Sequence, residues 1–366
     1  MRLTDAEVVT GGKMFYGAVS FEGDTVAGIY EGDTAGMPGD ISLAGKYLVP
    51  GFVDIHCHGS GEHWFFDEPE AAAKVHLYEG TTSLLCSMWR NAGTYSYEKA
   101  IENVKSVMGK DSNIRGIHME GPYVDPQLGS EGGKEWKIDP AEYEKLLRLA
   151  EGTIKTWTFD PMQEGTEKFA ETVGKAGVRL GVCYSKASPE TLEKYVHLGL
   201  SIGSHILCAT GAPETKFAGT KEPGSDVFVL CREDMTAEVI ADSMGGHVRP
   251  YYLKLIYKCK GAGKIALVSD CCAGGDTMGS DVNIINGELY GSRLTLSVAI
   301  KNMMLHTGAP LPEVIEMATA TPAKAAGLFD RFGSIDTGKA ADFTILDENL
   351  NVVGVVLSGK FIRKDF

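Results

Sequence analysis

Five side chains in this sequence are of the kinds that hold a divalent metal ion and move a proton: His56, His58, Glu120, His205 and Asp270. Side chains of an extended chain alternate with period two, so His56 and His58 share one face and both imidazoles can reach one ion. A His-Cys-His tripeptide alone is equally compatible with two exposed histidines. The metal reading gains force because Glu120 and Asp270 each close an apolar strand candidate. Mixed nitrogen and carboxylate donors suit Zn²⁺, with Fe²⁺ and Mn²⁺ as the alternatives. Asp270, in Leu-Val-Ser-Asp, could simply cap a turn. Beside a hydrated ion the same carboxylate could accept a proton from water and return it to a leaving group.

Eight short apolar strands must carry these residues: Phe52–His56, Thr82–Ser87, Ile114–Met119, Lys155–Phe159, Arg179–Cys183, Ser201–His205, Thr236–Ala241 and Ile265–Ser269. Helical segments fill the gaps, among them Tyr95–Met108, Pro140–Ala150, Pro189–Leu198, Pro250–Lys260, Leu294–His306 and Leu311–Ala318. Several open with Pro or an acidic first turn, as helix N-termini favour. Alternating βα units predict a parallel sheet, and eight of them predict a closed (β/α)8 TIM barrel over 49–333, with a doubly wound open sheet as the alternative. His56 and His58, Glu120, His205 and Asp270 then end strands one, three, six and eight, at the face where barrel enzymes keep their active sites.

Residues 1–48 read as short strands between Gly and Asp turns (Ala6–Thr10, Gly17–Phe21, Val26–Tyr30, Tyr47–Pro50), and 334–366 resume that texture. There the candidates are Gly333–Asp336, Asp342–Leu346, Val352–Leu357 and a short strand after Ser358-Gly359-Lys360. The two ends are expected to form one small β-sandwich domain.

The 366 residues are 43% hydrophobic and 23% charged, enough to bury a sizeable core. A formal net charge of -14 argues against nucleic acid or an anionic membrane surface as the main partner. The absence of a signal-like segment and of an apolar run long enough to span a bilayer leads us to expect a cytoplasmic protein. The eight cysteines (57, 86, 183, 208, 231, 259, 271 and 272) form no zinc-ribbon pairs and are expected to be mostly reduced and buried.

Nearly the whole chain resembles the N-acetylglucosamine-6-phosphate deacetylase family of the amidohydrolase superfamily. The likeness is carried by Val-Pro-Gly-Phe-Val-Asp-Ile-His-Cys-His-Gly at 49–59, Gly-Ile-His-Met-Glu-Gly-Pro-Tyr at 116–123, Gly-Ser-His at 203–205, Leu-Val-Ser-Asp at 267–270, Gly-Ser-Arg-Leu-Thr at 291–295 and Met-Ala-Thr-Ala-Thr-Pro-Ala at 317–323. Gly333-Ser334-Ile335 to Gly338-Lys339-Ala340-Ala341-Asp342 is a signature of the wider superfamily. The resemblance implies that Glu120 and His205 bind metal, that Asp270 is the catalytic base and that His247 contacts substrate. It also implies a homodimer, in which Lys221 of Lys-Glu-Pro-Gly, standing where the family has Arg, reaches the neighbouring site. Lys keeps the charge but lacks the planar fork that grips phosphate in bidentate fashion.

Other departures fall around the amino-sugar site. Tyr184 follows Cys183 where the family has a metal histidine, and a phenol ionising near 10 is a poor ligand unless a metal lowers its pKa. Cys208-Ala209 replaces Asn-Ala, and Gly129-Ser130-Glu131 replaces Gly-Ala-His or Gly-Thr-His. With Tyr184 in place of the histidine, one tightly held ion is expected, and a second only if Cys183 turns inward.

The reading is hydrolysis of a small-molecule amide: the ion polarises the carbonyl and lowers the pKa of water, and Asp270 carries the proton to the leaving amine. An N-acetyl amino-sugar phosphate, such as N-acetylglucosamine 6-phosphate, leads the substrate choices. Glu131, Cys208 and Lys221 favour a different amide, either an N-acyl amino acid or a cyclic ureide. A metal-binding barrel without turnover is the third reading, and only the loss of the strand-five histidine supports it.

Overall fold

The computed structural model describes residues 1–32, 36–89, 93–129, 136–275 and 281–366. Its centre is a sheet of eight parallel strands: β1 (Phe52–Cys57), β2 (Thr81–Trp89), β3 (Ile114–Glu120), β4 (Ile154–Phe159), β5 (Arg179–Val182), β6 (Leu200–Gly203), β7 (Thr236–Val239) and β8 (Ile265–Leu267). The strands lie in sequence order from β1 to β8. At the seam Asp270 N donates to the His56 carbonyl at 2.9 Å and His58 N to the Cys271 carbonyl at 2.8 Å, so the carboxyl ends of the outermost strands are tied together. This is a (β/α)8 barrel, and each of the eight strands expected from sequence is present.

The helices begin where the chain chemistry starts them. Asp139 accepts from Ala141 N at 2.8 Å ahead of Pro140–Ala150, and Ser188 accepts from Thr191 N at 3.3 Å ahead of Pro189–Val196. These side chains satisfy helix-end N–H groups that have no partner within the helix. Pro at the first helical position costs no hydrogen bond. Their apolar faces join the outward-facing strand residues in one core that includes Phe52, Trp157, Phe159 and Phe169.

Both termini build a second, eight-stranded sheet. Phe343–Leu346 runs antiparallel to Tyr47–Pro50, with Phe343 opposite Pro50, which joins the C-terminal strands to Arg2–Thr10, Lys13–Glu22 and Thr25–Glu31. A separate core of Leu3, Val8, Val19, Phe21, Leu48, Phe343, Ile345 and Val356 fills this β domain. Gly333–Asp336, expected as a strand, pairs with none. Its Ile335 is buried in that core and its N–H donates to Thr10 Oγ1 at 2.9 Å, so apolar character there reflects a buried loop rather than a sheet. The eight cysteines form no disulfide; Cys231 and Cys259 are exposed.

A hairpin of Val282–Ile285 and Glu288–Ser292 follows β8 and was not anticipated. It turns on Asn286 and Gly287, with φ of 54° and 83°. Positive φ at both central residues is what the tightest hairpin turn requires, and Asn-Gly is its strongest sequence signal.

Candidate metal centre and active site

The metal-type side chains meet at the carboxyl end of the barrel. On β1, alternation puts His56 and, just past the strand, His58 on the same side; Glu120 is the last residue of β3. His205 follows β6 and Asp270 follows β8, and both lie in the left-handed region, with φ of 27° and 49°. Such backbone costs about 1–3 kcal/mol per residue and persists only where surrounding contacts enforce it. Here Asp270 N is held by the His56 carbonyl, and the His205 carbonyl accepts from Cys208 N at 3.0 Å.

The Glu120 carboxylate is central. Its Oε1 lies 2.9 Å from His205 Nε2 and 3.4 Å from His56 Nε2, and its Oε2 lies 3.3 Å from His58 Nε2. Asp270 Oδ1 is 3.2 Å from His58 Nε2 and 3.7 Å from His56 Nε2. Two groups of ligand atoms result, His56–Glu120–His205 and His56–His58–Asp270, each within a span of 4.8 Å. The residues fit a divalent ion on a further ground. His56 Nδ1 donates to Glu238 Oε2 at 2.9 Å, which leaves Nε2 facing the centre, buried and without a hydrogen-bond partner. An outer carboxylate that fixes the tautomer is the usual support of a metal-ligating histidine. The Cys208 carbonyl does the same for His205, accepting from Nδ1 at 3.1 Å.

The charges are mutually dependent. Burial works against a charged His56, yet Glu120 and Glu238 outweigh it and hold its pKa well above the usual histidine value. Burial is likewise overcome at His58, which Asp270 and Glu120 raise to about 9. Glu120, opposed by burial, is pulled well below the carboxylate range by the histidines, and Asp270 is lowered by His58 and His56. Burial and the neighbouring His56 push His118 far below the usual value; its Nδ1 meets Thr156 Oγ1 at 2.7 Å. A cationic set of imidazoles around two carboxylates is what a divalent ion would replace, with release of protons.

The remaining predicted residues are distributed unevenly. Tyr184, φ 42°, lines the cavity with His58, Glu120 and Asp270. Burial and Glu120 raise its pKa well above 10. Cys183 is buried, its thiol pKa is driven well up by burial, and it joins neither ligand group. His247 does not line the cavity: its Nδ1 meets Asp242 Oδ2 at 3.0 Å and its Nε2 the Gly291 carbonyl at 2.9 Å, so both ring nitrogens are occupied. Cys208 faces His205 through its carbonyl, Ala209 is exposed with φ 53°, and Lys221 is exposed. Glu131 lies outside the described residues. The cavity walls add Trp64, Trp89, Val124, Cys272 and Tyr290, none of them singled out from sequence. Trp64 and Trp89 are 4.9 Å apart, and Trp89 meets the His58 ring edge-on at 5.3 Å.

A parallel barrel that gathers imidazole and carboxylate donors at its carboxyl end is the construction of an amidohydrolase, a hydrolase of amide bonds that uses a divalent metal. The Amidohydrolase family model matches residues 257–362. The N-acetylglucosamine-6-phosphate deacetylase of Lysinibacillus sphaericus is 26% identical over 339 residues, covering 87% of this chain and 86% of that protein. The N-acetylgalactosamine-6-phosphate deacetylase of Shewanella sp. (strain ANA-3) is 25% identical over 340 residues, 87% and 84% of the two chains. The crystal structure of N-acetylglucosamine-6-phosphate deacetylase from Pasteurella multocida superposes with a TM-score of 0.87 at 25% identity, covering 99% of both chains. Over most of its length this chain is similar to N-acetylglucosamine-6-phosphate deacetylases.

Proposed function

We propose that the protein removes the acetyl group from an N-acetyl amino-sugar phosphate such as N-acetylglucosamine 6-phosphate, releasing acetate and the free amine. The observation that carries this reading is the pair of ligand groups sharing His56 at the mouth of a barrel whose relatives act on such sugars. His56, His58, Glu120, His205 and Asp270 would hold the ion, with zinc the best match to their nitrogen and carboxylate donors. When bound, the ion supplies a Lewis acid for the carbonyl and a lowered pKa for water. Asp270 takes the proton from the attacking water and hands it to the leaving nitrogen, its carboxylate kept ionised by His58. Glu238 orients His56, and the Cys208 carbonyl orients His205.

Two copies of the chain complete the proposal, with Lys221 of one reaching the site of the other. The helices Ser225–Cys231 and Pro250–Lys260 pack side by side and expose Val227, Tyr251, Tyr252 and Leu255, with Tyr251 84% exposed. That apolar face, close in sequence to Lys221, suits burial against a second copy.

A second reading, hydrolysis of another amide such as an N-acyl amino acid or cyclic ureide, is favoured by one observation. His247, which the family resemblance assigns to substrate, spends both ring nitrogens on Asp242 and Gly291. Metal analysis and sedimentation of the purified protein, with acetate release measured on N-acetylglucosamine 6-phosphate, N-acetylgalactosamine 6-phosphate and N-acetyl amino acids, and ring opening measured on hydantoins, tests both readings. Turnover confined to the last two would overturn the amino-sugar assignment.

A further inference from the structure

Tyr184, just past β5, is fixed by contacts that leave its hydroxyl little freedom. The His205 ring lies 5.1 Å away at 59°, a Cβ on Gly129 would come within 2.9 Å of the Tyr184 ring, and the Tyr184 carbonyl accepts from Asp125 N at 3.0 Å. The side chain lines the cavity beside Glu120, Asp270 and His58. Its hydroxyl has no hydrogen-bond partner among the described residues. A proton-bearing donor held still and left unpaired at the reacting centre is pre-organised for an acceptor that arrives with substrate.

We propose that Tyr184 is a catalytic residue that donates its hydroxyl hydrogen bond to the oxygen of the scissile carbonyl as negative charge gathers there. The inference rests on the amide-hydrolase reading of the same cavity. Water oxygen bonds to the carbonyl carbon while its proton passes to the Asp270 carboxylate, and the carbonyl π pair moves onto the oxygen that Tyr184 faces. That pair then returns, the C–N bond breaks, and nitrogen leaves with its electron pair and the proton from Asp270. Tyr184 keeps its own proton throughout. A side chain that supplants a metal ligand of the family thereby contributes to the reaction as a donor.

The test is Tyr184→Phe in the metal-loaded enzyme, assayed on the best amide substrate found. We expect unchanged metal content, little change in KM and a kcat lower by about 10²–10³-fold, the usual cost of losing one oxyanion donor. Binding of a tetrahedral phosphonamidate analogue of that substrate, read by calorimetry, should weaken in parallel with kcat/KM, while the amine product binds as before. Near-normal kcat, or equal weakening of product and analogue, would overturn the proposal by showing a wall rather than a donor. Absence of turnover on every amide in wild type and variant alike would overturn the amide-hydrolase reading and this proposal together, whereas failure of this proposal alone shows only in the Phe variant.

Discussion

Glu238 Oε2 stands 2.9 Å from His56 Nδ1, and that one bond decides which nitrogen of His56 faces the metal centre. Glu238→Gln keeps the shape but can present its amide N–H₂ to the ring, which favours the wrong tautomer. Metal affinity should fall about 10–100-fold, as for other outer partners of metal-ligating histidines. Competition against a chelator of known affinity measures it, and an unchanged constant would remove Glu238 from the design.

Replacing both His56 and His58 with Ala takes one imidazole from the His56–Glu120–His205 group and two from the His56–His58–Asp270 group. Metal and activity should both disappear while the barrel still folds. Elemental analysis of the folded double variant decides the matter; retained metal would place the ion elsewhere.

Asp270→Asn leaves an oxygen near His58 but no group able to carry a proton. The variant should keep part of its metal and lose on the order of 10²-fold or more in kcat, the scale of general acid and base catalysis. Turnover close to that of the wild type would exclude Asp270 from proton transfer.

His56 is common to both ligand groups, so an ion held by His56, His58 and Asp270 leaves only Glu120 and His205 for a second, with Tyr184 beside them. One tightly held ion per chain is the expected stoichiometry, and Tyr184→His should move it towards two, since catalytic zinc sites typically use three protein ligands. Two tight ions in the wild type, with neither Tyr184 nor Cys183 bound to them, would defeat the argument from ligand number.

The metal-free protein should respond to pH through His58. Burial opposes its charge, but Asp270 and Glu120 carry its folded pKa to about 9, above the unfolded value near 6.5. The stabilisation is therefore complete below about pH 6.5 and is lost as pH rises towards 9. Melting temperatures of the chelator-treated protein should decline across that window, and the decline should be smaller in His58→Gln. A flat profile for the metal-free wild type would contradict this.

The barrel and its ligands were legible because strand alternation and strand ends are local properties. His56, His58, Glu120 and Asp270 announce themselves by sitting at or just past the ends of short apolar runs. Glu238 was not legible, since a carboxylate within Thr236–Val239 declares its role only when β1 is folded against it across the barrel. The same holds for Trp64 and Trp89, which meet only in three dimensions. His118, two residues before Glu120 on one strand face, carried a readable signal in the same period-two spacing as His56 and His58. The Asn286-Gly287 turn was readable too and marks the hairpin that brings Tyr290 to the cavity.

The seam between β1 and β8 carries a consequence for biogenesis. His56 and Asp270 touch there through the backbone and belong to the same ligand group, so that group takes shape only when the last strand docks against the first. A ribosome-bound chain that has not yet released residues 265–270 holds His56, His58, Glu120 and His205 but lacks Asp270, so the His56–His58–Asp270 group cannot form. Assembly of that group is thereby scheduled after synthesis of the barrel, and its presence becomes a certificate that the ring has closed.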